Sequence, residues 1–121
     1  MSDQALPAIK CEMTDPRGNK IILFEETWDM HIVEGHPEMD GRLDDVVATI
    51  EDPDWIREGR DVKTEELYVR VESQSKLEFT GTLAATRMID GKMVIMTTAY
   101  DGNDSDHKGK MKWSKIKGDL S

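Results

Sequence analysis

One dipeptide restricts the fold of this chain more than any other feature. Asp90-Gly91 lies between two apolar-rich runs, 77–89 and 92–100. A two-residue Asp-Gly loop adopts a turn whose twist matches that of the flanking strands, so it commits both runs to an antiparallel hairpin. That loop sets Ile89 opposite Lys92, hence Arg87 opposite Val94, Leu83 opposite Thr98 and Gly81 opposite Tyr100. Strand alternation then places Arg87, Thr98 and Tyr100 on one side of the sheet, with Gly81 leaving room beside the Tyr100 ring.

The rest of the second half supports a sheet. Leu67, Val69 and Val71 alternate with Glu66, Tyr68, Arg70 and Glu72, the pattern of a half-buried strand. Tyr68 and Arg70 share the side opposite the apolar trio. Trp55 and Ile56 open a short strand, 57–64 is a charged connection, and SQSK (73–76) is a turn. Residues 101–121 read as loop and tail. Trp113 and Ile116 are candidates to anchor a last strand, and five lysines between Lys108 and Lys117 suit either a solvated tail or a cationic flap.

The first half reads differently. Ile9–Thr14 and Lys20–Phe24 flank DPRGN, a turn-forming cluster, and predict a hairpin. From Glu25 the spacing predicts a helix with acidic residues in its first turn, where they meet the positive end of the helix dipole. Trp28 and Ile32 share its buried face. Gly35 suits a left-handed helix end, and Pro37 disfavours helical geometry at His36. Leu43, Val46, Val47 and Ile50 predict a second helix, capped by Asp40 and stopped at Asp52-Pro53. The expected fold class is α+β: an N-terminal hairpin and two helices packed on one side of an antiparallel sheet of about four to six strands. At 121 residues the chain is expected to be a single domain, 1–121, frayed at 1–7 and at about 114–121.

A single cysteine, Cys11, cannot form an internal disulfide, and it is read as a packing residue. The first residues lack a basic start followed by an apolar run, and no apolar run approaches membrane-spanning length, so a cytoplasmic protein with no membrane partner is expected. Net charge is −9 and uneven. The first 54 residues carry fourteen acidic and four basic side chains; the remainder carry eleven and twelve. Such a chain repels nucleic acid at long range, which argues against a nonspecific nucleic-acid binder.

Metal and cofactor motifs fail. His31 and His36 are five residues apart, about 140° around a helix, and do not converge on one ion. HIVEGH is one residue longer than an inverted zincin motif. The loop from Asp101 has calcium-loop residues at Asn103 and Ser105, but Asp106 and Lys112 stand where glycine and glutamate are needed. No phosphate-cradling glycine loop is present, so neither metal nor cofactor is expected.

Metal-free acid–base chemistry remains. Histidine takes and gives protons near neutral pH, arginine clamps phosphate, and hydroxyls position oxygens. A set drawn from His31, His36, Arg70, Arg87, Thr98 and Tyr100, with Tyr68 beside Arg70, suits RNA cleavage by 2′-hydroxyl attack on the adjacent phosphate. Against this, His31 could simply cover a helix end, His36 brace the bend, and Arg87 sit on a strand surface. The rival reading is a non-catalytic domain whose acidic helical half binds a protein partner, either an inhibitor or a basic protein.

WDMHI (28–32), HPEM (36–39), IEDPDWI (50–56) and TAY (98–100), in that order, resemble a small phage- and bacteria-borne group of nucleases compared with barnase, EndoU, colicin and RelE-type ribonucleases. The resemblance spans about 21–100. It implies an α+β fold with N-terminal helices against an antiparallel sheet, and metal-independent RNA cleavage. It puts function on His31, His36, Thr98 and Tyr100, without assigning acid and base roles. The acidic charge departs from the basic character common in such nucleases.

Overall fold

A computed structural model describes residues 8–59, 64–74, 79–101 and 110–115, with backbone alone for 73–74, 79–80 and 99–101. The order is β1 (Ile9–Thr14), β2 (Lys20–Phe24), a helical stretch, α2 (Leu43–Glu51), β3 (Trp55–Glu58), β4 (Glu65–Gln74), β5 (Phe79–Ile89), β6 (Lys92–Asp101) and β7 (Met111–Ser114). The helical stretch starts at Glu25, runs as a π-helix over Thr27–Ile32, closes as α1 (Val33–Gly35), and is followed by a 3-10 turn, Pro37–Met39. The fold is therefore α+β, as expected. The expected frayed ends, 1–7 and most of 114–121, lie outside the described residues, as do Ile116 and the SQSK residues 75–76.

The sheet departs from expectation. Among the described residues it has seven strands in the order β1-β2-β6-β5-β4-β3-β7, and it is mixed, because β2 runs parallel to β6 through Ile21↔Met93 and Ile22↔Val94. Ile21, Ile22 and Leu23 are consecutive and all buried. An unbroken apolar run of this kind marks a strand covered on both faces, which is how a strand inside a parallel arrangement reads.

Asp90 (φ 51°) and Gly91 (φ 78°) form the two-residue turn with both central residues at positive φ, and Ile89↔Lys92 and Arg87↔Val94 pair as expected. The register then shifts. Thr86 pairs with Ile95 but Ala85 pairs with Thr97, so Met96 is an extra residue on β6. Beyond it Ala84 faces Thr98, Thr82 faces Tyr100 and Gly81 faces Asp101. The expected Leu83–Thr98 and Gly81–Tyr100 pairs are therefore absent, and Thr98 lies on the opposite side of the sheet from Arg87.

Trp28, Ile32, Met39, Val46 and Ile50 from the helical segments share one buried cluster with Met13, Ile21, Leu23, Ile56, Tyr68, Ala84 and Ile95 from the strands. We call this the helix-side face. The apolar trio of β4 lies on the other face, where Leu67 and Val69 are buried and Trp55, Val71, Leu83 and Ala85 pack against them. Two local expectations change. Gly35 ends the helix, but without a positive φ; the chain breaks at His36 (φ −135°, ψ 74°) instead. The residue capping α2 is Arg42, which makes no side-chain cap, and not Asp40. Among the described residues no helix is long and apolar enough to cross a membrane.

Gly81 leaves no room for a ring. It pairs with Val71 beside a β4 bulge, and an added Cβ would clash with the Arg70 carbonyl oxygen. Gly81→Ala is expected to destabilise the fold by about 1–3 kcal/mol, the usual scale of overpacking, read as a lower denaturant midpoint with an unchanged m-value.

Candidate functional site

The register of β4, β5 and β6 lays the helix-side face out in rows. Glu66, Thr86 and Ile95 form one row, Tyr68, Ala84 and Thr98 the next, and Arg70, Thr82 and Tyr100 the third. β2 ends near the middle of β6, and from there the π-helix carrying His31 and the 3-10 turn after His36 pack on β6. The segments with the two histidines thus meet the strand with Thr98 and the Tyr100 position.

The π-helix widens the turn at Thr27–Ile32 while keeping Trp28 and Ile32 buried. Departures of this kind often occur at functional sites, since they re-aim a side chain without ending the helix. His31 is exposed on it. His36 is half-buried at the bend; its backbone N–H donates to the Ile32 carbonyl at 2.7 Å, and its Nδ1 lies 3.3 Å from Glu38 Oε2. Thr98 is fully buried, and its Oγ1 has no hydrogen-bond partner among the described residues. Arg70 is half-buried on the same face. The Tyr100 side chain lies outside the described residues.

Two expected site residues are placed elsewhere. Arg87 is on the other face, where Nη2 donates to Glu65 Oε1 at 2.8 Å, because the Met96 bulge breaks the expected register. Tyr68 is on the helix-side face but fully buried, with its hydroxyl committed. It donates to Asp15 Oδ2 at 2.7 Å and accepts from Arg17 Nη2 at 2.9 Å.

That hydroxyl belongs to a polar clamp that sequence reasoning missed. Asp15, in the β1–β2 turn, accepts from the backbone N–H groups of Arg17 and Asn19, both at 2.9 Å. Arg17 holds Asp15 through Nε and Nη2 and grips Glu66 with both terminal nitrogens. Lys112 Nζ reaches Glu66 Oε2 at 2.7 Å. Two strands, β6 and β5, separate the hairpin from β4 in the sheet order, so its turn must close over the helix-side face to reach Glu66. DPRGN was legible as a turn, but its long-range partner was not. Glu66 looked solvent-facing because the other side of its strand carries the apolar trio.

Burial works against the charge of Asp15, yet the Tyr68 hydroxyl, Asn19 and Arg17 outweigh it and hold its carboxyl below the usual carboxylate range. Burial likewise opposes the Glu66 charge, and Arg17 and Lys112 overcome it and lower its pKa. The Tyr68 phenol is pushed up, first by burial and then by its bond to Asp15. Every partner is thus satisfied within the clamp, which suits a fastening and not a ligand site. Burial also raises the Cys11 thiol, in keeping with a packing role.

Among the described residues no three His, Cys, Asp or Glu side chains are grouped to hold a metal ion. No protein-family model matches the chain, and no significant match to a curated protein or a solved structure was found.

Arg17→Met strips the cation from two buried carboxylates and is expected to cost about 2–4 kcal/mol at neutral pH. Carboxylates with lowered folded pKa contribute stability that is complete above their unfolded values, near 4, and lost as pH falls through the folded ones. Thermal melts should therefore show wild-type stability dropping below about pH 4, with a shallower acid loss in the variant.

Proposed function

We propose that this domain cleaves RNA without a metal ion, by attack of a 2′-hydroxyl on the adjacent phosphate. The observation that carries this reading is the packing of both histidine-bearing segments on β6, the strand that carries Thr98, with Thr82 one strand away on β5 and Arg70 two strands away on β4. His36 is the base or acid: Glu38 orients its Nδ1 side and leaves Nε2 for substrate. His31, five residues back on the π-helix, is its partner. The base takes the 2′-hydroxyl proton, the freed oxygen attacks phosphorus, and the acid returns a proton to the departing 5′-oxygen. Arg70 supplies the cation for the phosphate, and Thr98 and Tyr100 position oxygens. Arg87 is left out, since it lies on the other face.

Incubation of labelled RNA with purified protein and a chelator should give cleavage. His36→Ala should slow it by about 10²–10⁴-fold, the usual worth of a positioned proton-transfer group, while Arg87→Gln should leave it unchanged. No cleavage, or equal cleavage by His36→Ala, would falsify the enzyme reading.

A second reading has its own support. Many cations are already held by carboxylates: Arg17, Lys20, Arg42, Arg87, Lys112 and Lys115 all sit in ion pairs. A cytoplasmic non-catalytic domain of the same fold would bind a basic protein through its acidic first half. It would show no cleavage, and it would bind a lysine-rich peptide with an affinity that falls steeply with salt.

A further inference from the structure

Thr49, Thr82, Thr86 and Thr98 are buried. Two of them follow the usual rule for a buried hydroxyl: Thr49 donates to the Asp45 carbonyl at 2.6 Å and Thr86 to the Glu66 carbonyl at 3.4 Å. Thr82 and Thr98 do not, since neither Oγ1 has a partner among the described residues. An unpaired buried hydroxyl is a standing cost that valine, of the same shape, would avoid. The two orphans are also neighbours. Thr82 faces Tyr100 and Ala84 faces Thr98, so the hydroxyl-bearing residues are diagonal across β5 and β6 on the helix-side face. Arg70 lies directly across β4 from Thr82. It is half-buried, and its side chain makes no ion pair or hydrogen bond among the described residues.

We infer that Arg70, Thr82 and Thr98 form an oxyanion pocket that takes one phosphate group. The inference names the substrate-binding half of the proposed RNA-cleaving site, and it rests on that reading only for the identity of the phosphate's owner. Diagonal side chains stand about 7–8 Å apart, so their hydroxyls can donate to two different oxygens of one tetrahedral phosphate held between them. Arg70 supplies the permanent charge at the half-exposed mouth. Among the described residues no ion pair or hydrogen bond holds its guanidinium, which leaves it available to the anion. Thr82 is the residue not previously assigned; it binds phosphate and takes no part in proton transfer.

The test is thermal melting and titration calorimetry with inorganic phosphate, against chloride at equal ionic strength. Wild type should show a saturable phosphate-dependent rise in Tm. Arg70→Gln should weaken phosphate binding at least about tenfold, and Thr82→Val several-fold. Without phosphate, Thr82→Val should melt at or above the wild-type temperature, because a methyl replaces an unpaired hydroxyl. No saturable rise in wild type, undiminished binding by Thr82→Val, or a lower Tm for that variant overturns the pocket. Phosphate binding without RNA cleavage keeps the pocket and removes the nuclease reading. Cleavage unchanged in both Arg70→Gln and Thr82→Val removes the pocket and keeps the nuclease.

Discussion

Met96 is the extra residue that β6 carries between Ile95 and Thr97, opposite the Ala85–Thr86 step of β5. Side chains alternate with a period of two, so one inserted residue exchanges the faces of everything beyond it. On the turn side of the bulge, Arg87 and Val94 are on the face away from the helices. Beyond it, Ala84 and Thr98 are on the helix-side face, and Thr82 and Tyr100 follow in register. Without the insertion, Thr98 would look away from the segments that carry His31 and His36, and the two halves of the proposed site would be separated by the thickness of the sheet. Met96 itself is exposed, as suits the residue that a bulge leaves unpaired.

The clamp at the other end of the same face determines what that face can be. Arg17 reaches from the β1–β2 turn to Glu66, across the positions of β6 and β5. This contact closes the hairpin over the core and lets β2 take its place beside β6. Because β2 stops partway along β6, the chain enters its helical stretch where the far half of β6 is still open. The helices cover that half in its stead. The polar fastening and the candidate site are thus at opposite ends of one core, joined by Tyr68, whose ring is buried in it and whose hydroxyl belongs to the clamp.

Most of the local structure was legible. The turn chemistry of DPRGN and Asp90-Gly91, and the spacing of Leu43, Val46, Val47 and Ile50, are short-range signals, and the elements they imply are present. What sequence could not convey was long-range or non-periodic. The alternation in β4 showed which residues share a side, but both sides proved to be covered, so the polar side looked like solvent when it held Glu66 and Tyr68. A bulge leaves no local mark in a run such as MVIMTTAY, where every residue suits a strand. The Arg87–Thr98 juxtaposition failed for that reason alone. The triple Ile21-Ile22-Leu23 did carry a sign of central placement, since alternation is missing there, but its partner lies more than seventy residues away.

The acidity of the chain shapes what a phosphate site here could accept. Arg17 and Lys112 are taken up by Asp15 and Glu66, Arg87 pairs with Glu65, and Lys115 lies beside Asp52 and Asp54. A long duplex would lay many phosphates against this surface and meet net repulsion that extends over a Debye length, roughly 8–10 Å in physiological salt. A single phosphate entering the proposed site between Arg70 and two buried hydroxyls would meet a short-range, low-dielectric interaction that solvent and salt screen far less. Net charge and local chemistry therefore select together. The surface discourages polyanions that would cover it, and the proposed pocket would reward one phosphate that can leave a polymer's stack and reach inside. If the proposed site acts on RNA, such an arrangement would favour unpaired, locally extruded nucleotides over regular duplex, without the basic surface that a less selective nuclease would need.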